Sequence, residues 1–275
     1  MNPNKYSITF ACYNAVAYTK LCIESMVKHG TPLNRLVVVD NDSKDETRSY
    51  LETLNLGGRI LNQKNLGCGT AWNQGALALQ SEWSIIMNND VIVSREWIEK
   101  LINTAEQRGL KIISPAMIEG TLDYDFDEFA DQASQKMGNV LRLGSRHAVC
   151  LAIHESVWMD VGYFRSTPKL WGYEDTLFFH EIDRAQIPTA WTGASWLHHF
   201  GSITQSEIKK ERGLREKDSL GQRYENHKLL QQSWLERKLS RAATKRQVKN
   251  WRNAEVNEFG MSLHGWRENG EFIWR

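Results

Sequence analysis

Leu36-Val37-Val38-Val39-Asp40-Asn41-Asp42-Ser43 is the stretch that decides the fold. Its first four residues are apolar without alternation, and three are valine. A strand buried on both faces of a parallel sheet reads this way. The run stops at a cluster of polar turn formers. Ser43, with Glu46 three residues on, has the spacing of a capping box. The pattern therefore predicts a strand, a polar turn and then a helix over residues 44–54.

The same unit recurs on either side. Residues 7–12 are an apolar run ending at Tyr13-Asn14, followed by helical spacing over 15–29. A third strand is expected at 59–62, a turn at Asn65-Leu66-Gly67-Cys68-Gly69 and a helix over 70–79. A fourth strand, 83–87, ends at Asn88-Asn89-Asp90. A helix over 96–108 and a fifth strand over 111–114 follow. This alternation with short links predicts an α/β fold, with a Rossmann-like, mostly parallel sheet covered by helices on both faces. The pattern breaks over 118–146, where Asp123, Asp125, Asp127, Glu128 and Asp131 punctuate weak apolar signals. A solvated acidic loop is expected there, or a flexible segment over the site. Further on come a strand over 146–153, a short helix over 155–161, a helix over 173–185 and a strand over 189–197. From about residue 206 the chain is charged and mostly helical. Residues 261–275, with Trp266 and Trp274, are expected to pack against the body.

In 275 residues, 34 Lys and Arg stand against 33 Asp and Glu, a net charge of +1; 41% are hydrophobic and 24% charged. Such a chain buries a sizeable core, which excludes a disordered protein, a collagen-like repeat and a disulfide miniprotein. The balanced charge excludes wholesale electrostatic binding to nucleic acid and leaves only a local basic patch for it. Cys12, Cys22, Cys68 and Cys150 are scattered, with no C-x-x-C pair, and read as buried reduced thiols. The N-terminus runs into a strand without a signal-peptide pattern. No run reaches the ~18 consecutive apolar residues of a membrane helix, so a cytoplasmic protein is expected.

In open parallel sheets, ligands bind beyond the carboxyl ends of the strands. Asp40 ends the second strand, Asp90 follows the fourth, Glu174-Asp175 opens a later helix and His198-His199 follows the last clear strand. In this order, four segments resemble the family 2 glycosyltransferases of the GT-A fold. They are Ile8-Thr9-Phe10-Ala11-Cys12-Tyr13-Asn14, the 37–43 strand and turn with Asp45 and Thr47, residues 65–75 running on to Asn88-Asn89-Asp90, and Trp171-Gly172-Tyr173-Glu174-Asp175 followed by His199-Phe200-Gly201-Ser202. The resemblance extends from about residue 5 to residue 235. It implies one GT-A domain over 1–235, with a nucleotide-binding half to about 115 and an acceptor-binding half from about 116. Residues 236–275 would then form a basic helical C-terminal extension.

The resemblance implies an inverting, metal-dependent enzyme. It would move a sugar from a nucleotide-sugar donor to a hydroxyl acceptor, a glycan or a lipid-linked one, in bacterial surface polysaccharide or glycoconjugate assembly. A hard divalent cation, Mn2+ or Mg2+, suits a diphosphate leaving group. The family's Asp-x-Asp-like motif reads here Asn88-Asn89-Asp90, so only its last acidic position remains. Asp90 and His199 are the implied metal ligands, with His198 as the other member of a pair whose register the sequence leaves open. Asp40 matches the position that recognises base or ribose, where a carboxylate accepts N–H or hydroxyl hydrogens. Thr9, Ala11 and Asn14 would line the same pocket, largely through backbone groups. Asn65, Gly67 and Asn73 belong to a turn and helix whose N-terminus favours anions. Asn88 and Asn89 complete the implied nucleotide-sugar contacts. Asp175 matches the catalytic base that takes the acceptor proton. Glu174 would orient hydroxyls, and Trp171 beside it offers a face for sugar stacking.

Residues 237–252 hold Arg237, Lys238, Arg241, Lys245, Arg246, Lys249 and Arg252 without an acidic residue. Three readings stand: a solvated charged helix, a helix lying on anionic lipid at the inner face of the membrane, or a nucleic-acid contact as in enzymes that glycosylate DNA bases. Nothing else in the sequence favours the last. A nucleotidyltransferase is disfavoured, because the turn Cys12-Tyr13-Asn14-Ala15 lacks a Gly-rich basic loop. A non-catalytic nucleotide- or glycan-binding module stays open through the reduced Asn88-Asn89-Asp90 motif, with Glu174-Asp175 and His199 weighing against it.

Overall fold

A computed structural model describes residues 4–166, 174–201, 203–211, 213–215, 230 and 233–275. One half of its sheet is parallel, in the order β3 (Gly58–Leu61), β2 (Leu36–Asp40), β1 (Tyr6–Cys12), β4 (Trp83–Asn88). The helices that connect these strands are α1 (Val16–Lys28), α2 (Thr47–Glu52) and α3 (Cys68–Ala78). All four strands therefore point their carboxyl ends to one edge, where Cys12, Asp40, Leu61 and Asn88 stand.

Beyond β4 the sheet is mixed. β5 (Val91–Val93) leaves the edge and α4 (Trp97–Gln107) leads into β6 (Ile112–Gly120). β8 (Cys150–His154) runs antiparallel between β4 and β6. β9 (Thr189–His199) lies parallel to β6 and antiparallel to both β5 and β7 (Leu141–Leu143). The parallel expectation thus holds for the first half, and an inserted antiparallel strand makes the sheet mixed. Alternation along these strands builds two core layers. Ile85, Met87 and Ala152 face one cluster with α1 and α4, while Ile86, Leu151 and Ile153 face another with Trp72, Phe164 and Phe178.

Two local readings are corrected by the structure here. Residues 118–146 are ordered: β6 runs on to Gly120, and α5 (Phe126–Met137) follows. Asp125 is the N-cap, accepting from Glu128 N at 3.0 Å, and Asp127 and Glu128 lie in the first turn, where the helix dipole favours acids. Small alanines, Ala130 and Ala133, carry much of the buried face, which is why its apolar signal was weak. Ser43 is no N-cap: its hydroxyl accepts from Asn14 N at 2.8 Å, and α2 begins only at Thr47. Asp45 meanwhile serves the other helix, accepting from Val16 N at the start of α1 at 2.9 Å.

The C-terminal helical extension is α9 (Trp234–Phe259), opened by a true capping box of Ser233 and Glu236. Its basic half is exposed nearly all round. Residues 261–275 are not helical. They form the hairpin β10 (His264–Glu268) and β11 (Glu271–Trp274), and β10 joins the sheet beside β6. The remaining helices are α6 (Glu155–Val161), α7 (Glu174–Arg184) and α8 (Ile203–Glu211). Among the described residues no helix is long and apolar enough to cross a membrane.

Where α9 meets the body, Arg142 of β7 is buried in a fork-to-fork pair with Glu255, at 2.8 and 2.7 Å. Arg142 also donates to Ser262 Oγ at 2.7 Å, and Glu255 accepts from Leu263 N at 2.9 Å. Replacing one member of such a pair strands the other charge in the interior. Glu255→Ala is expected to destabilise the protein by about 3–5 kcal/mol, read as a lowered urea midpoint.

Candidate active site

The strand ends form a polar floor. Asp40 is fully buried at the end of β2; Arg48 Nε donates to its Oδ2 at 2.6 Å and Ser43 N to its Oδ1 at 3.2 Å. Arg48 continues to the carbonyl of Asn62 at 2.6 Å. Asn41, which the sequence reading passed over, ties two loops together. Its amide donates to Gly67 O at 3.2 Å and its oxygen accepts from Asn62 at 2.9 Å. Asn62 in turn exchanges two hydrogen bonds with Gln74 of α3. Asn65 closes its own turn, accepting from Gly67 N at 3.0 Å.

At the end of β1, Asn14 and Ala15 both have positive φ, 54° and 57°. This region costs an L-residue roughly 1–2 kcal/mol, and such strain collects at ligand sites. The turn is held on every side: Asn14 Oδ1 accepts from Lys44 N at 2.7 Å, and Asn14 Nδ2 donates to Glu211 of α8 at 2.7 Å. Tyr13 donates to the same carboxylate at 2.6 Å. Ala11 is half-buried between Val39 and Asn88. Thr9 is buried; its hydroxyl donates to Val37 O at 2.9 Å. Above it lies Gly75 of α3, where a Cβ would collide with the Thr9 side chain.

That contact sets where α3 begins. Its N-terminus, at Gly67, has no side-chain cap, so first-turn N–H groups are available to an anion at the strand edge. Its first turn also touches α7: a Cβ on Gly69 would stand 2.9 Å from Glu174 Cβ. Asn73 of α3 clamps the chain ahead of α7, donating to Phe164 O at 2.7 Å and accepting from Phe164 N at 3.0 Å. Cys68 lies within electrostatic reach of Glu174, Asp90 and Asp175; burial first, then these carboxylates, push its thiol up to about 12. Carboxylates of both acidic segments of the sequence thus act on the start of α3. Asp175 accepts from Thr176 N at 2.8 Å, and burial raises its carboxyl above the ordinary range despite that bond. Trp171 lies outside the described residues.

The second cluster gathers around His199 at the end of β9. Its Nε2 stands 3.4 Å from Asp90 Oδ1 and 3.4 Å from the Asn88 side-chain amide. Its Nδ1 stands 3.1 Å from Glu119 of β6. His198, one residue earlier, faces the other side of the strand. Its Nδ1 meets the Tyr124 hydroxyl at 3.0 Å amid Phe126 and Phe200, and burial lowers its pKa to about 4. Asn89 turns away from the cluster, donating to Thr19 of α1 at 2.9 Å. A carboxylate and an amide thus both approach His199 Nε2, and these donor types fit a hard or borderline divalent cation. Among the described residues no group of three or more His, Cys, Asp or Glu side chains could hold a metal. A cation bound beside Asp90 and His199 would need further oxygens from a substrate or water.

The arrangement fits a family model. Residues 7–176, more than half of the chain, match glycosyl transferase family 2. The chain belongs to that family. Among curated proteins it is similar to the putative glycosyltransferase EpsH of Bacillus subtilis (strain 168), 24% identical over 102 residues, which are 36% of this chain and 30% of that protein. Solved structures share its GT-A fold. GalNAc-T7 with UDP, GalNAc and Mn2+ superposes with a TM-score of 0.56 at 15% identity over 72% of this chain and 44% of that one. S. aureus TarS 1–349 does so with a TM-score of 0.52 at 17% identity over 75% and 64%. Its complex with UDP-GlcNAc gives 0.53 at 15% over 74% and 60%. The chain spans less than two thirds of each of these proteins.

Glu119, Asn62 and Glu211 carried no motif, and Asn41 lay within one without a role of its own. Glu119 sat in a stretch read as an acidic loop, and only strand pairing brings it beside His199. Burial alone would lower the pKa of His199, but its bonds to Asp90 and Glu119 prevail and raise it to about 9. A cation stabilised in this way strengthens the fold below the unfolded value near 6.5 and loses that effect as pH rises through 9. In metal-free buffer, His199→Gln is expected to cost on the order of 3 kcal/mol at pH 6 and progressively less towards pH 10. Urea midpoints of the two proteins across that range check it.

Proposed function

We propose that this protein is an inverting, metal-dependent glycosyltransferase that moves a sugar from a nucleotide-sugar donor to a hydroxyl acceptor. The observation that carries the reading is the pairing of Asp90 with His199 at the strand edge, at 3.4 Å, with Glu174 packed against the first turn of α3. The family membership and the shared fold support it. In this reading Asp90 and His199 hold Mn2+ or Mg2+, which when bound offsets the charge of the leaving diphosphate. The first-turn N–H groups of α3 bind the same phosphates, and the Asp40 floor with Asn14 and Ala11 holds the nucleoside.

The acceptor oxygen attacks the anomeric carbon from the face opposite the diphosphate. The new C–O bond forms as the bond to the phosphate oxygen breaks, the diphosphate leaves with the electron pair, and Asp175 takes the hydroxyl proton. A single displacement inverts the anomeric centre. The raised carboxyl of Asp175 makes it a stronger base than an exposed aspartate, and Glu174 orients the hydroxyl. An acceptor in bacterial surface glycan assembly, a glycan or a lipid-linked hydroxyl, completes the reading.

A screen of nucleotide sugars by thermal shift, with and without Mn2+, is expected to single out one donor stabilised only with metal and slowly hydrolysed to its nucleoside diphosphate. Stabilisation without any release, even with acceptors added, favours a binding module. No stabilisation by any donor sinks the reading. With the donor in hand, Asp175→Asn is expected to abolish transfer, by at least ~10²-fold, with donor affinity nearly unchanged. In the parent protein kcat/KM should fall with acidification, with an inflection above the ordinary aspartate range because the base must be ionised.

We place the protein in the cytoplasm, at the inner face of the membrane, through the basic half of α9. There Lys238, Arg241 and Lys245 follow Trp234 on one face, and Trp234, Leu235 and Leu239 are exposed. Sedimentation with vesicles containing phosphatidylglycerol should fall as salt rises and disappear in Arg241→Glu/Lys245→Glu. Equal binding to neutral vesicles overturns this placement, and salt-sensitive binding to duplex DNA without vesicle binding would favour a nucleic-acid acceptor.

A further inference from the structure

We propose that Glu119 is the positioning residue for His199, and that the C-terminal hairpin supports the active site because His264 holds Glu119. This rests on reading Asp90 and His199 as the cation-binding pair. Glu119 sits near the end of β6, opposite His199 in the β6–β9 register and opposite Trp266 in the β6–β10 register. Its two oxygens are shared between two imidazoles. Oε1 is 3.1 Å from His199 Nδ1, and Oε2 is 2.8 Å from His264 Nε2. The Arg275 guanidinium stands 3.9 Å from Oε2.

This geometry does two things to His199. The bond at Nδ1 fixes the ring plane, so that Nε2 stays aimed at Asp90 and Asn88. It also keeps a proton on Nδ1, which is the condition for Nε2 to offer its lone pair to a cation. His264 prevents the carboxylate from swinging away. Its own place depends on β10 pairing with β6, where Met117 and His264 are partners. The matched family segment ends at residue 176, so His264 is a support drawn from outside it. Glu119 acts through His199, so it should set how well a cation is held.

The test uses the full chain and Mn2+, alone and with UDP. Free Mn2+ is counted by its solution EPR signal, and pulsed EPR reads the 14N coupling of an imidazole bound to Mn2+. Wild type is expected to bind with a 14N signature. Glu119→Gln should weaken binding by about 10–100-fold and diminish that signature, at a melting temperature that shows it folded. If Glu119→Gln fails to fold, His264→Gln on the hairpin carries the test, with a weakening of about threefold or more. Folded variants that keep both the wild-type affinity and the 14N signature overturn this inference alone. No Mn2+ binding by wild type, with or without UDP, overturns the cation reading and this inference with it.

Discussion

The seating of α3 on β1 is the constraint on which the rest depends. Gly75 leaves no room for a side chain above Thr9, so the helix backbone rests directly on the Thr9 side chain. With that separation set, the start of α3 falls at the strand edge, with Gly69 against Glu174. Asn73, two residues before Gly75, then fastens the chain that leads to α7. A helix held farther out would leave its N–H groups short of the edge and Gly69 away from Glu174.

Buried charge in this protein is handled in two ways. Asp40 with Arg48, Arg142 with Glu255, and Glu119 between two histidines are compensated by geometry, as interior charges must be. The last two join segments distant in sequence and stiffen the framework. At Asp175, burial outweighs the hydrogen bonds that would lower its pKa. A carboxylate so placed gains affinity for a proton, a property suited to the chemistry proposed for it and of no use to a structural ion pair.

Much of the first half was legible because its signals are local. Continuous apolar runs, polar strand ends and short links specify parallel β1 to β4 directly. The failures were also local in cause. Helix α5 was hidden by alanines on its buried face and by acids that serve as cap and first turn. Ser43 had the right spacing for a cap, yet its hydroxyl was drawn to Asn14 across the strand edge. His198 and His199 could not be told apart in the sequence. The pleat of β9, paired with β5, turns one into an aromatic nest and the other to Asp90.

The sequence by itself determined the α/β class, the order of the strands and helices in the first half and the family to which the chain belongs, because period, turn chemistry and motif order are written along the chain. Only the tertiary structure decided the partners. Glu119 reaches His199 across 80 positions and His264 across 145. The antiparallel insertion of β8 and the return of the 264–274 hairpin to β6 are likewise long-range events. Strand pairing and carboxylate–imidazole contacts of this kind depend on which segments become neighbours when the core closes, and no local pattern encodes that.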